Sequence, residues 1–142
     1  MELQNLTLDV DQHIEIQASI GDVFEGLVHR LSAGSVAPGG EPMPMRLERR
    51  PGGRWYRDLG DDAGHLWGFV QVIKPPTLLE ISGPMFMSYP VAGHLALRLT
   101  EQDGGTRLSL RHRALGFIDE EHRQGVTAGW SHYLNGVKQD CE

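Results

Sequence analysis

The chain has few of the features that mark secreted, metal-binding or membrane-spanning proteins. One cysteine, Cys141, among 142 residues excludes an intramolecular disulfide and argues against a cysteine-based metal site. The 7 histidines include no HxH or HxxxH pair, so we expect no metal and no other cofactor. The longest uncharged run, residues 81–97, is broken by glycines and prolines, and we therefore expect no membrane span.

The charge balance argues against a further class of function. The 13 basic and 19 acidic residues give a net charge of −6, which disfavours binding to the phosphate backbone of nucleic acids. The opening, MELQNLTLDVDQHIEI, has early acidic residues and lacks the apolar segment of a secretory signal, so we expect a cytoplasmic protein. A length of 142 residues with 39% hydrophobic residues predicts a single folded domain over residues 1–142.

The first third of the chain reads as a strand followed by a helix. Apolar residues alternate from Leu6 to Ala18, which is typical of a half-buried strand. After Ser19, a candidate N-cap, apolar residues recur at helical spacing as far as Leu31. Gly34 and the stretch Pro38-Gly39-Gly40 then predict a loop.

Beyond Met43 the pattern predicts about six short strands and one long helix. Asp103-Gly104-Gly105 is the clearest hairpin signal between two strands. Strand alternation places five leucines on one face, namely Leu95, Leu97, Leu99, Leu108 and Leu110. The last helix follows Asp119 with an apolar stripe that contains Trp130 and Tyr133, and Gly125 is a position where it can break. A sheet with one apolar face buries that face best by curling around the stripe of the last helix.

Several pieces of the chain resemble the helix-grip superfamily, also called START-like or SRPBCC. They are IEIQASIGDVFEGLV, RRPGGRW, GFVQVIKPPTLLEIS, DGGTRLSLRH, and GW followed by HYLNGVK. The chain is most similar to the branch named after the activator of the heat-shock-protein-ninety ATPase. The resemblance implies an α+β domain, in which a curved antiparallel sheet of six or seven strands wraps a long C-terminal helix around a cavity. In place of the longer second helical segment of many members stands only SAGSVAPGGEP, which shortens one cavity wall.

Six residues are predicted to bind a ligand in that cavity. Met85, Phe86 and Tyr89 lie in a loop bounded by glycine and proline, whose composition suits a lid, packing over the core or contact with a second copy in a homodimer. The remaining three residues, on the last helix and a central strand, are Trp130, Tyr133 and Trp67. For that central strand the alternation is ambiguous, because both of its faces are apolar.

Catalysis is a weaker expectation, for which His112 and Tyr133 are the candidates. His112 continues the inward register of the leucines and can donate, accept or shuttle a proton, although such a histidine is more often a satisfied core residue. Arg54 is a further candidate for stabilising an oxyanion. The chain contains no Gly-x-Ser-x-Gly nucleophile motif.

Three functions therefore stay open at this point. The first is binding of a small apolar or aromatic molecule, and the second is a polyketide cyclase- or hydrolase-like reaction in the same cavity. The third, implied by the branch name, is a chaperone-ATPase cofactor, for which a row of arginines near residues 46–57 is the only support. Cys141 is expected in a fraying tail that reacts freely with thiol reagents.

Overall fold

The computed structural model describes residues 2–142 and confirms the predicted α+β fold. Seven antiparallel strands form one curved sheet in the order β1-β7-β6-β5-β4-β3-β2, and the long helix α2 packs against its inner face. The elements are β1 (Thr7–Ile16), α1 (Ile20–Leu31), β2 (Arg46–Leu47), β3 (Arg54–Gly60), β4 (Ala63–Lys74), β5 (Leu78–Ser82), β6 (Val91–Gln102), β7 (Gly105–Gly116) and α2 (Glu120–Cys141). None of the described helices is long and apolar enough to cross a membrane.

The element boundaries follow from local chemistry. The Ser19 hydroxyl accepts a hydrogen bond from the amide of Asp22, and the Asp119 carboxylate accepts one from the amide of Glu121, so both helices begin at a capped turn. Asp103 and Gly104 have φ values of 49° and 81°, as the turn between β6 and β7 requires. The predicted break is wrong, because α2 continues through Gly125 without interruption.

The core lies between the sheet and the two helices. All five predicted leucines are buried there, together with Trp130 and Tyr133 of α2. Trp55 of β3 is fully buried, and its indole N–H donates to the Leu31 carbonyl oxygen at 2.7 Å. Burial of these residues on one sheet face, against helices with matching stripes, is what holds the two layers together.

The structure resolves the ambiguity of β4. Trp67 and Val70 are buried, whereas Leu66 and Phe69 are 45% and 47% exposed. A register shift beside Trp55 leaves Trp67 without a partner on β3, and strict alternation fails at this point. The tryptophan therefore faces inward and a phenylalanine of the same parity faces outward.

Candidate functional site

A partly enclosed cavity of about 270 Å³ lies between α2, β7 and two loops. The loop from α1 to β2 contributes Pro38 and Met43, and β7 contributes His112. The remaining lining residues come from the loop between β5 and β6 and from α2, and are Met85, Phe86, Met87, His122, Gly125, Val126, Gly129, Trp130 and Tyr133. The wall is almost entirely apolar, which suits an uncharged, water-averse guest.

One face of α2 forms the longest wall of the cavity. Val126, Trp130 and Tyr133 follow each other at spacings of four and three residues, so their side chains share a face. Gly125 and Gly129 lie on the same face, and a Cβ atom added to either would meet no heavy atom within 4 Å. Because glycine has no side chain, open space remains along this face of α2.

Phe86 is the centre of the aromatic cluster beside the cavity. Its ring centroid lies 5.7 Å from that of Trp130, 6.1 Å from that of Tyr133 and 5.2 Å from that of Trp67. Trp55 contacts the same ring edge-on at 5.4 Å. Aromatic pairs at these distances attract one another beyond simple burial, so the loop that carries Phe86 is held by rings from two strands and a helix.

The same loop has an unusual backbone at Met85. This residue has a φ of 59°, a region that residues with a side chain rarely adopt. It is fully buried, and its amide donates to the Trp67 carbonyl oxygen at 2.8 Å. Burial and this hydrogen bond hold the strained conformation, which points the methionine side chain into the cavity wall.

His112 is the buried polar residue of the cavity. Its Nδ1 atom accepts a hydrogen bond from the indole N–H of Trp130 at 2.9 Å, and its ring lies edge-on to the indole. The Nε2 atom is buried and has no hydrogen-bond partner among the described residues. Burial, with a smaller contribution from His94, lowers the pKa of His112 from 6.5 to about 4, so the ring is neutral at pH 7.

Tyr133 is tied to the loop that follows α1. Its hydroxyl and that of Ser35 lie 2.9 Å apart, and both residues are buried. Burial raises the pKa of Tyr133, and the bond to Ser35 offsets part of that rise. His132 also bonds the carbonyl oxygen of Val36 at 2.9 Å. The short segment after α1 therefore still closes one side of the cavity, although it contains no helix.

The structure brings four of the six predicted ligand residues to the cavity wall, namely Met85, Phe86, Trp130 and Tyr133. Trp67 lies behind Phe86, where its indole nitrogen contacts the sulfur of Met45 at 2.9 Å. Tyr89 lies beside the first turn of α2, and its hydroxyl is 2.9 Å from Nδ1 of His122. Neither of these two rings lines the cavity: Trp67 contacts Met45 outside it, and Tyr89 lies behind His122, which does line it.

Sequence reasoning missed several lining residues. Pro38, Met43 and the two glycines of α2 were absent from the predicted set, although Gly125 and Gly129 stand at the spacing of one helix turn beside Val126. From this spacing, an open face on the last helix could have been predicted. Nothing in the local sequence indicates that the loop containing Pro38 and Met43 folds over the helix.

The third catalytic candidate lies elsewhere. The Arg54 guanidinium bonds the Glu48 carboxylate at 3.0 Å and stacks over Tyr56, at an exposed position of β3. The arginine–glutamate bond also lowers the pKa of Glu48 to about 2. The predicted combination of His112, Tyr133 and Arg54 around one void does not form. Among the described residues, no cluster of potential metal ligands is found either.

The row of arginines is largely neutralised within the chain. Arg49 pairs with Glu25 at 2.7 Å, and Arg46 approaches Asp58 at 3.8 Å. Glu48 lies near both Arg50 and Arg54. Because carboxylates already face these guanidinium groups, the row offers less positive charge to an acidic partner than the sequence suggested.

The fold of this chain is also found in other proteins of known structure. The di-domain ARO/CYC protein StfQ of the steffimycin biosynthetic pathway matches 98% of this chain with a TM-score of 0.69 and 14% identity, and the chain spans about half, 52%, of its length. CalU16 from Micromonospora echinospora matches 94% of this chain and 74% of its own length, with a TM-score of 0.62 and 23% identity. Identities this low show a shared fold alone.

A third solved structure has the same fold, and a family model matches the sequence. The Aha1 dimer from Colwellia psychrerythraea matches 95% of this chain and 96% of its own length, with a TM-score of 0.69 and 13% identity. No curated protein is similar enough in sequence to count as a relative. The family model described as "Activator of Hsp90 ATPase homolog 1-like protein" matches residues 40–141, which cover β2 to β7 and α2. With most of its length matched, and with the helix-grip fold observed, the chain belongs to this family.

Proposed function

We propose that this protein binds a small, apolar, ring-containing molecule in the cavity between the sheet and α2. The observation that carries the proposal is the cavity itself, about 270 Å³ in volume and walled by aromatic rings and methionines. Ligand cavities usually measure about 300–1,000 Å³, and one of about 150 Å³ holds benzene, so the expected guest has one or two rings.

The chemistry of the wall supports a binding role. Met43, Met85 and Met87 are unbranched and polarizable, so they adapt to guests of irregular shape. The rings of Phe86 and Trp130 offer flat apolar surface to an aromatic guest. Transfer of the guest from water into this wall is favourable because both surfaces leave water together.

A cyclase- or hydrolase-like reaction is the second candidate. It is favoured by the presence of His112 and Tyr133 in one cavity. Against it, Nδ1 of His112 is occupied by Trp130 and the Tyr133 hydroxyl by Ser35. The third polar side chain of the wall, His122, is also engaged, since its Nδ1 atom lies 2.9 Å from the Tyr89 hydroxyl. With Nδ1 of His112, the Tyr133 hydroxyl and Nδ1 of His122 all engaged, binding without chemistry is the better supported function. A homodimer, as in the Aha1 protein from Colwellia psychrerythraea, remains a proposal that sedimentation velocity tests directly.

The open position at Gly129 gives a direct test. We expect the bicyclic hydrocarbon indane to raise the melting temperature and to quench the fluorescence of Trp130, because a guest that binds only the native state stabilises it. Gly129→Leu places a side chain on the cavity face of α2, where a Cβ meets nothing within 4 Å. This variant should keep the fold and weaken indane binding at least about tenfold, which corresponds to about 1.4 kcal/mol.

Gly21→Leu is the matched control. Gly21 lies exposed in the first turn of α1, where a Cβ also meets nothing within 4 Å, and it does not line the cavity. This variant should bind indane as the unaltered protein does. Equal binding by Gly129→Leu, or no binding of indane by the unaltered protein, would contradict the proposal.

A further inference from the structure

We propose that the ligand of this cavity carries an oxygen acceptor, such as a ring ketone, which receives the Nε2–H of His112. The inference rests on the proposed function and narrows its ligand class from apolar rings in general to rings that bear a carbonyl oxygen. Three steps lead to it: the tautomer of the histidine, the burial of its free N–H and the direction in which that group faces.

Trp130 sets the tautomer of His112. An indole nitrogen can only donate, so the 2.9 Å contact makes Nδ1 of His112 an acceptor that carries no proton. A neutral imidazole holds one ring proton, which must then reside on Nε2. The pKa of His112, lowered by burial to about 4, keeps the ring neutral at pH 7.

The resulting N–H group is buried and finds no acceptor in the part of the chain that the structure describes. His112 is only 1% exposed, and its Nε2 atom has no hydrogen-bond partner among the described residues. Buried donors in native proteins are nearly always paired, so an unpaired one on a residue that lines a cavity indicates a group that a guest satisfies. A second buried polar group of the cavity wall, the hydroxyl of Tyr133, is already bonded to Ser35.

The free N–H lies on the inner side of the sheet. His112 alternates inward with Leu108 and Leu110, and it lines the cavity. Its pairing partner on β6 is Leu95, and Gly93 lies two residues before that partner on the same side of the strand. A Cβ atom at Gly93 would stand 3.5 Å from Nε2 and 2.7 Å from the Gly83 carbonyl oxygen. With no side chain at Gly93, no atom of that residue covers the N–H from this direction.

Two bicyclic probes that differ by one oxygen test the inference. Indane is a hydrocarbon, and 1-indanone carries a ketone on the same frame. Calorimetry gives the ratio of the two dissociation constants, indane over 1-indanone, for each variant. Because both probes experience the same cavity shape, the ratio reports on the oxygen alone.

The informative variant replaces both partners of the hydrogen bond. His112→Leu combined with Trp130→Phe removes the donor without leaving an unpaired indole N–H, and such paired apolar replacements are well tolerated. We expect the ratio to fall about tenfold in this double variant. Trp130→Phe alone is the matched control: it keeps His112 but frees its tautomer, so its ratio should lie between the other two.

Nuclear magnetic resonance of the unaltered protein provides a readout that does not depend on any variant. Two-bond proton–nitrogen spectra should show His112 protonated at Nε2, and the Nε2 resonance should move on addition of 1-indanone but not of indane. An Nδ1-protonated ring, or an unchanged ratio in the double variant while both probes bind, overturns this inference and leaves the proposed function intact. Failure of both probes to bind the unaltered protein overturns the two together.

Discussion

Two buried hydrogen bonds lie in the cavity wall, and each joins α2 to another part of the chain. Trp130 donates to His112 on β7, and Tyr133 pairs with Ser35 in the loop after α1. Both pairs are shielded from water, so removing one partner leaves the other with an uncompensated desolvation cost.

Tyr133→Phe tests the second pair. The variant keeps the ring and its contact with Phe86 but leaves the buried Ser35 hydroxyl without its partner. We expect the free energy of unfolding to fall by about 1–2 kcal/mol in urea denaturation. Adding Ser35→Ala should recover part of that loss, since the unpaired hydroxyl is then gone. Additive losses from the two substitutions would show that the hydroxyls are not coupled.

The pKa of His112 makes the stability of the protein depend on pH. The unfolded chain, with a pKa near 6.5, binds more protons than the native state, where the pKa is about 4. The stability that the neutral His112 ring contributes is therefore fully present above pH 6.5 and is lost as the pH falls toward 4. Between pH 6.5 and pH 5 we expect a loss of about 2 kcal/mol in the free energy of unfolding.

The control for this prediction is the double variant His112→Leu with Trp130→Phe, which lacks the titrating ring. Its stability should change less over the same interval. Carboxylates with lowered pKa values, among them Asp9 and Glu25, take up protons mainly below pH 5. They therefore contribute little to the change in stability between pH 6.5 and pH 5. If the double variant loses as much free energy of unfolding between pH 6.5 and pH 5 as the unaltered protein does, the pH dependence belongs to other groups.

At the scale of elements, the end of α2 is more ordered than its position near the terminus suggested. The helix extends through Cys141, so the prediction of a fraying tail is wrong. The Glu142 carboxylate accepts hydrogen bonds from Lys138 at 2.7 Å and from the Gln17 amide at 2.8 Å. Arg30 of α1 also bonds Asp140 at 2.6 Å. These contacts attach the last turn to β1 and α1.

We therefore expect the Cys141 thiol to react slowly in the native state. Burial, followed by the charge of Asp140, raises the pKa of the thiol, which reduces the fraction of reactive thiolate. Labelling with a disulfide reagent at pH 8 should be much slower in buffer than in denaturing urea. Equal rates would indicate that the last turn opens freely.

The variant Gly26→Ala tests whether packing against α1 limits access to the Cys141 thiol. A Cβ at Gly26 would lie 2.8 Å from the Cys141 sulfur, so the thiol must swing away from α1. We expect faster labelling in this variant, while the α-helix itself is favoured by alanine over glycine by up to about 1 kcal/mol. An unchanged labelling rate would show that access to the thiol does not depend on this contact.

At the scale of the whole molecule, the interior is tightly packed around Trp55 and hollow beside Trp130. Trp55 is fully buried and bonded to the carbonyl oxygen of Leu31, and it does not line the cavity. Trp130 is 2% exposed but forms a wall of the cavity. The same residue type therefore stands in two different surroundings, one filled and one not.

Alanine substitution of the two tryptophans compares these surroundings. Trp55→Ala should lower the free energy of unfolding by about 4–5 kcal/mol, because a closed core cannot refill the space. Trp130→Ala should cost about 3 kcal/mol or less, since its ring already lacks neighbours on the cavity side. Urea denaturation of both variants gives the comparison. A larger loss from Trp130→Ala would mean that the cavity is filled in solution.

Much of this fold was predictable from the order of residues, because hydrophobic periodicity and turn chemistry act locally. The alternating leucines of β6 and β7, the caps at Ser19 and Asp119, and the Asp103-Gly104 turn each lie where the pattern placed them. The inward direction of His112 followed from the same alternation. These features depend on neighbours within a few residues, which the sequence displays directly.

Other features depend on residues that are distant in the chain. The folding of Pro38 and Met43 over α2, the register shift that turns Trp67 inward, and the pairing of Trp130 with His112 all need contacts between residues 10 or more positions apart. Side chains compete for such partners only once the sheet has closed around the helix. Periodicity therefore indicated which faces meet, whereas packing between the faces set the shape of the cavity and left Nε2 of His112 without a partner within residues 2–142.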